Sequence, residues 1–232
     1  MATIEEQLRL LPDACGVYIL KNQNGDIVYV GKSNSVRKRV ASHFRSKLKD
    51  KISRIDYIDT SSEFEALIME AKLIKEYKPR YNVAMRDDKQ YPYIKLTIQD
   101  EYPGLSIARK IKNDGAKYFG PFKSGSARFL MKILGRLFGV RRCSASVLSR
   151  RVQPCLNYHI KRCLGPCAGK ISIEKYREQV SKIEKFFEQG VLKTLEELKN
   201  EMEKSSAEME YERAAELRNK ISLLESAVYK ND

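Results

Sequence analysis

No stretch of the 232 residues approaches the 18 or more apolar positions that a membrane-spanning helix requires. The first residues, Met1-Ala2-Thr3-Ile4-Glu5-Glu6-Gln7, lack the basic-then-apolar order of a secretion signal, so a cytoplasmic location is expected. Cysteine is scarce, five in all, and in a reducing compartment these are thiols or metal ligands rather than disulfides. Tryptophan is absent and tyrosine leads the aromatics, which by itself excludes nothing. A Walker A loop is also missing. Gly25 and Gly31 precede Lys32-Ser33, but five residues separate the glycines instead of four, and Ile27-Val28-Tyr29-Val30 are strand formers. An ATP site of that kind is excluded.

What the chain does have is positive charge. The net charge is +14 with a pI near 9.5, which favours a polyanionic partner or a membrane surface. The charge is uneven. From Glu197 to Asp232 nine acids oppose six bases, so this tail is negative by 3 and the remainder carries +17. A phosphate-binding body with an acidic tail points to a protein partner for the tail.

Near the N-terminus, Gly16-Val17-Tyr18 and Tyr29-Val30-Gly31 lie in apolar stretches either side of Asn24-Gly25. Asn-Gly between such runs predicts a hairpin with a two-residue type I′ turn. Partner numbers then sum to 49, so Tyr18 faces Gly31 and Leu20 faces Tyr29. Both tyrosines share one face, diagonal neighbours roughly 7–8 Å apart or less. Gly31 is expected to leave that face open opposite Tyr18.

Ser33-Asn34-Ser35 offer caps for a basic helix through about Leu48, with Val36, Val40 and Phe44 as its apolar stripe. Arg39 and His43 stand four apart on one face of it. Ile55–Thr60 reads as a third strand. Ser62-x-x-Glu65 is a capping box opening a helix with Phe64, Leu67, Ile68, Ala71 and Ile74 inward. Glu70 sits about 40° beyond Ile74, at the margin of that stripe. A partly buried carboxylate there wants a cation, either a side chain or a metal. Lys32, at a strand end before a helix N-terminus, is a natural phosphate position. The β-β-α-β-α order predicts one α+β domain of about ninety residues.

Farther on, Tyr93–Ile98 and the region of Tyr118–Phe122 read as strands and turns, and Ser126–Phe138 as a helix. Cys143, Cys155, Cys163 and Cys167 fall within 25 residues of Pro- and Gly-bearing loop, a donor set that suits zinc or an iron–sulfur cluster. His159 is a less favoured ligand. The pattern is helical from Ser172, breaks near Gly190, and ends in two antiparallel helices, about 191–204 and 208–229, with Ala214, Ala215, Leu217, Ile221 and Leu224 at helical spacing.

Gly16-Val17-Tyr18, Tyr29-Val30-Gly31, Arg39, Glu70 and Asn82 resemble the motif set of the GIY-YIG nucleases. The four-cysteine region and Tyr211-Glu212-Arg213-Ala214-Ala215-Glu216-Leu217-Arg218 are similar to the cysteine region and UVR motif of the UvrC family of excision-repair nucleases. The resemblance implies a small GIY-YIG sheet flanked by helices (1–95), a DNA-facing region with a four-cysteine cluster site (96–170), a connecting helix (171–196) and a helical hairpin for UvrB (197–232). It implies Tyr18 and Tyr29 as the paired active-site phenols, with Gly31 and His43 among the site residues and Lys32 and Arg39 holding the scissile phosphate. Glu70 would be the single protein ligand of Mg²⁺ or Mn²⁺, and Asn82 an orienting residue. Cys143, Cys155, Cys163 and Cys167 would hold a [4Fe–4S] cluster, with zinc the alternative. Tyr211, Ala214, Ala215, Leu217 and Arg218 would meet UvrB.

The chain departs from the family at two positions: His43 replaces the usual tyrosine, and Cys15 the usual proline. Histidine is the better proton acceptor near neutral pH. The implied activity is metal-assisted incision of damaged double-stranded DNA 3′ to the lesion in nucleotide excision repair. The second nuclease domain and helix-hairpin-helix motifs of complete UvrC are not found by Asp232, so one of the two cuts is expected at most. The alternative is a non-catalytic DNA-binding adaptor linking UvrB to a cluster-bearing module.

Overall fold

A computed structural model describes residues 3–44, 49–84, 91–122 and 124–229. It divides into two compact units, residues 1–87 with 227–232, and residues 88–226.

The first unit is built on a three-stranded antiparallel sheet in the order β2-β1-β3. Its elements are α1 (Ile4–Leu10), β1 (Gly16–Lys21), β2 (Ile27–Ser33), α2 (Val36–His43), β3 (Arg54–Asp59), α3 (Glu63–Tyr77) and α4 (Arg80–Ala84). Strand alternation separates two apolar clusters. Tyr18, Leu20, Tyr29, Val36, Val40 and Ile55 pack on one side, and Val17, Ile19, Val30, Ala66, Leu73 and Ile74 on the other. Tyrosines and α2 therefore share a face, while α3 covers the opposite one.

The hairpin register agrees with the expectation for an unexpected reason. Tyr18 pairs with Gly31 and Leu20 with Tyr29, but Lys21 pairs with Ile27 across a β-bulge. The turn is not the two-residue Asn24-Gly25 type. Asn22 N–H donates to Asp26 O at 3.0 Å, Gly25 N–H donates to Asn22 O at 3.1 Å, and Gly25 has φ +86°. This is a three-residue loop ending in a left-handed glycine. Asn22 Oδ1 holds it by accepting from Asn24 N–H at 3.0 Å and Asp26 N–H at 2.9 Å. The longer loop shifts the pairing by one residue, and the bulge shifts it back. Without the bulge, Tyr29 would face away from Tyr18.

Ser35 caps α2, its Oγ accepting from Lys38 N–H at 3.4 Å. The helix ends at His43, shorter than expected; residues 45–48 lie outside the described ones. Ser62 caps α3 through Glu65 N–H at 3.1 Å, and all five expected inward residues are buried. The reciprocal half of the box differs: Glu65 Oε2 accepts from Ser61 N–H and Oγ at 2.7 and 2.8 Å.

The second unit holds the antiparallel sheet β5-β4-β6, made of β4 (Tyr93–Leu96), β5 (Leu105–Ala108) and β6 (Lys117–Phe119). Helix α5 (Ser124–Phe138) follows, then the short α6 (Ala145–Arg150) and α7 (Leu156–His159) of the cysteine region. Buried Arg141 anchors the start of that region. Its guanidinium donates to Tyr102 O at 2.7 Å, Cys143 O at 2.6 Å and Asp100 Oδ2 at 2.8 Å, while its backbone N–H donates to Tyr176 Oη at 2.8 Å. The chain then forms α8 (Ile173–Gln189), α9 (Val191–Ala207) and α10 (Tyr211–Tyr229). Gly190, at φ +91°, makes the break between α8 and α9. Ion pairs Arg213–Glu201 at 3.0 Å and Lys199–Glu225 at 2.8 Å join α9 to α10. No described helix is long and apolar enough to cross a membrane.

Candidate active site

Tyr18, in the middle of the central strand, and Tyr29, in the adjacent one, lie with ring centroids 5.9 Å apart and planes 27° from parallel. His43 closes the group from α2, its ring centroid 5.6 Å from Tyr18 and 5.0 Å from Tyr29. Val36 and Val40, fully buried two turns and one turn earlier, set the helix face that delivers it.

The face opposite Tyr18 is not open, which corrects the expectation for Gly31. A Cβ there would run into the Tyr18 hydroxyl and stand 2.5 Å from Tyr18 Cζ and 2.8 Å from Tyr29 Cε1. The missing side chain is replaced by the phenol itself. Gly31 is what lets Tyr18 lie flat across β2.

Tyr18 Oη is 2.8 Å from His43 Nε2, and both groups are buried. Burial, then the neighbouring Tyr29, pushes the Tyr18 pKa far above the ordinary phenol value, although Arg39 at its hydroxyl works the other way. Arg39 is itself raised, first by that Tyr18 contact. Burial and the Arg39 charge push His43 below its usual 6.5. These directions fix the protons at neutral pH. Arg39 can only donate, His43 is neutral, and Tyr18 keeps its proton. The phenol oxygen therefore accepts from Arg39, and the imidazole tautomer sets which partner donates between Tyr18 Oη and His43 Nε2.

The other candidates meet at the far end of β2. Lys32 N–H donates to Glu70 Oε1 at 3.1 Å, so Glu70, half-buried on α3, is tied to the strand that carries Tyr29. Lys32 Nζ forms an ion pair with Glu63 Oε1 at 2.5 Å. Asn34 Nδ2 donates to the other Glu63 oxygen at 3.4 Å. Glu63 went unnoticed in the sequence; its only signal was its place seven residues, two helical turns, before Glu70. Asn82 reaches back to β2 as well. Its Oδ1 accepts from Val30 N–H at 2.8 Å and its Nδ2 donates to Val30 O at 2.7 Å. The amide thus pairs both backbone groups of one strand residue, as a neighbouring strand would.

In the second unit, burial and the neighbouring Cys143, Cys155 and Cys167 push the Cys163 thiol up. Cys155 caps α7. Burial opposes its ionisation, but the backbone amides of Tyr158 and Asn157 hold its pKa below the usual thiol value. The other three sulfurs are close enough to act on Cys163, yet no three His, Cys, Asp or Glu among the described residues are grouped as a metal site. His159 is exposed. The expected partner-binding residues of the tail divide into three groups. Leu217 is buried, at 5 % exposure, with Ile221 and Leu224, whereas Tyr211 at 66 % and Arg218 face solvent. Ala214 and Ala215 are intermediate.

Three family models match consecutive parts of the chain: the UvrC-like GIY-YIG domain over 14–83, the UvrC/Cho excinuclease middle domain over 91–186, and the UvrB/uvrC motif over 193–227. UvrABC system protein C of Moorella thermoacetica is 44 % identical over 235 residues, covering 98 % of this chain and 38 % of that protein. The corresponding protein of Clostridium acetobutylicum is 44 % identical over 233 residues, covering 95 % and 37 %. The chain thus spans under two fifths of the length of these relatives. Among solved structures, the GIY-YIG N-terminal endonuclease domain of UvrC from Thermotoga maritima, bound to magnesium as its catalytic divalent cation, is 34 % identical. The match covers 34 % of this chain and 94 % of that one, with a TM-score of 0.32. With all three parts in one order along the sequence, the chain belongs to the UvrC family.

Proposed function

We propose that this chain is a metal-dependent DNA endonuclease of nucleotide excision repair, making the incision 3′ to a lesion by phosphodiester hydrolysis. The observation that carries this is the chain of contacts from Arg39 through Tyr18 to His43, set beside Tyr29 and backed by Glu70 at Lys32. Membership of the UvrC family supports it.

Each group has a task its chemistry suits. Arg39 is largely exposed and cationic, able to meet a phosphate oxygen while its other donors hold Tyr18. Lys32 supplies a second cation once the phosphate competes with Glu63 for Nζ. A phenol of raised pKa is a poor base alone. Through Tyr18 the water's proton can still be accepted: the water O–H breaks, a new O–H forms on Tyr18, and the original phenol proton forms N–H at His43 Nε2. Neutral His43 is the acceptor that makes the relay favourable near pH 7. Glu70 fits a divalent ion in kind, a half-buried carboxylate suited to a cation that keeps most of its waters. Bound there, Mg²⁺ or Mn²⁺ would supply stabilisation of the leaving oxygen.

The remainder of the chain has supporting parts in this reading. Cys143, Cys155, Cys163 and Cys167 would hold a [4Fe–4S] cluster, or zinc, whose role is to order the loop and not to react. The influence of the other three thiols on Cys163 supports this donor set. The α9–α10 hairpin, acidic and matching the UvrB/uvrC motif, would recruit UvrB through its exposed residues.

The deciding assay combines the chain with UvrB, Mg²⁺ and a lesion-bearing duplex. A single nick on the damaged strand 3′ of the lesion is expected, and Glu70→Ala should abolish it while DNA binding persists. Binding without any nick would assign the adaptor role instead.

A further inference from the structure

We infer that the outer face of α5 is a docking surface for the phosphate backbone of duplex DNA. The inference rests on the reading of the chain as a DNA endonuclease and adds a contact that lies outside the nuclease unit.

Three observations carry it. First, residues 115–173 contain no Asp or Glu, yet include twelve Lys or Arg. Solvation alone would mix the two signs, so an acid-free run of this length is unusual for an ordinary surface. Second, α5 gathers part of this charge in a line. Arg128, Lys132 and Arg136 recur every four residues, and all three are exposed. At 1.5 Å rise per residue they span about 12 Å of one helix face. The opposite face, with Ala127, Leu130, Ile133, Leu134 and Leu137, is buried in the unit, so the helix is anchored and the cations are held in fixed order. Third, Gly135 lies on the same outer arc, and the Arg142 side chain crosses it. A Cβ at Gly135 would stand 3.3 Å from Arg142 Cδ and 3.4 Å from Nε. The glycine makes room for a fourth cation beside the row.

None of these four takes part in an ion pair among the described residues, in contrast to Lys117 with Glu184 at 2.8 Å and Lys161 with Glu216 at 2.6 Å. Four unneutralised cations on a rigid line complement a regular row of phosphates. Duplex DNA presents one charge per roughly 1.7 Å of axis. A single strand is held by repeated stacking on aromatic rings, and this face offers one such ring, Phe129, 45 % exposed. The geometry therefore favours the duplex.

The test is duplex binding by the full chain in EDTA, which removes cleavage from the readout. A fluorescein-labelled duplex of about 25 base pairs, long enough to span several turns, is titrated between 50 and 200 mM salt, the range over which counterion release shows. Arg128→Gln/Lys132→Gln/Arg136→Gln is compared with a control of equal charge change, Lys175→Gln/Lys185→Gln/Lys193→Gln, both checked for wild-type circular dichroism. The α5 variant should bind at least about tenfold more weakly, and its slope of log K against log salt should fall by about 2.7, or 0.9 per phosphate contact. Equal loss in variant and control overturns the inference, as does a loss confined to a labelled single strand. So does unchanged duplex binding with lost binding to polyglutamate, which would make the partner an acidic protein. None of these results depends on incision, so the nuclease reading stands or falls separately.

Discussion

The hydroxyl of Tyr18 and Nε2 of His43 are 2.8 Å apart in the interior of the first unit, joining the central strand to a helix 25 residues away. Burial acts on the two in opposite senses of charge but to the same effect, keeping both neutral.

Replacing His43 with Phe keeps a ring in place and removes the acceptor. Nicking should fall by about 10²–10⁴-fold, the usual worth of a positioned acid–base group. Wild-type activity should also decline on acidification with a midpoint below 6.5, since His43 is pushed below that value, and the variant should lack this limb. A pH–rate profile checks both; a variant with the same acid limb would remove His43 from the relay.

The same shift has a stability consequence. The folded pKa of His43 is depressed, so the fold favours the neutral ring, and this contribution is fully present above about pH 6.5. It is lost as pH falls through the lower folded value, because the unfolded chain takes up the proton first. Urea midpoints measured from pH 7.5 down to 5 should drop more for wild type than for His43→Gln.

Gly31→Ala should destabilise by about 1–3 kcal/mol, the usual cost of overpacking. The added methyl meets Tyr18 and Tyr29 rings fixed by the core, not a flexible chain end. Because the phenol must shift, incision should fall beyond what the stability loss explains. Denaturation curves beside rates at a temperature where both forms are folded separate the two effects.

Asn82→Ala leaves the N–H and C=O of Val30 unpaired at a residue with 0 % exposure. A loss of about 2 kcal/mol is expected. Asn82→Asp keeps the acceptor for Val30 N–H but sets an oxygen against Val30 O, so it should not restore stability. Hydrogen exchange at the Val30 amide would register either change directly.

In the tail, Leu224→Ala should cost about 2–5 kcal/mol, as for a buried leucine, since Leu224 is fully covered. Tyr211→Ala should leave the melting temperature unchanged and weaken UvrB binding instead, because Tyr211 is two-thirds exposed. Calorimetry and a pull-down with UvrB give the two readouts; the reverse pattern would place the partner surface on the other side of the helix.

Much of the site was legible because it is written in local periodicity. The hairpin reading put Tyr18 and Tyr29 on one face, an outcome reached through a different turn and a bulge, and helical spacing put Arg39 and His43 on one face of a helix. The Ser35 and Ser62 caps were equally readable, since capping is chemistry within four residues. What escaped was anything requiring a distant partner. The Lys32–Glu63 ion pair spans 31 residues, and the Asn82–Val30 pairing spans 52. Arg141 was invisible as a structural centre because nothing nearby in sequence marks Tyr102, Asp100 or Tyr176 as its partners.

The sequence by itself determined the longer helices and most strands, the gathering of four cysteines along the chain and the separation of a basic body from an acidic tail. These depend on residue spacing and composition, which no fold can alter. Only the tertiary structure decided that a bulge brings both tyrosines to one face, that Tyr18 fills the space at Gly31, that its hydroxyl meets His43 Nε2 and that Lys32 rests on Glu63. It also decided which tail residues are turned inward. Such outcomes turn on burial and on charges brought together from afar, and these exist only once the chain has closed on itself.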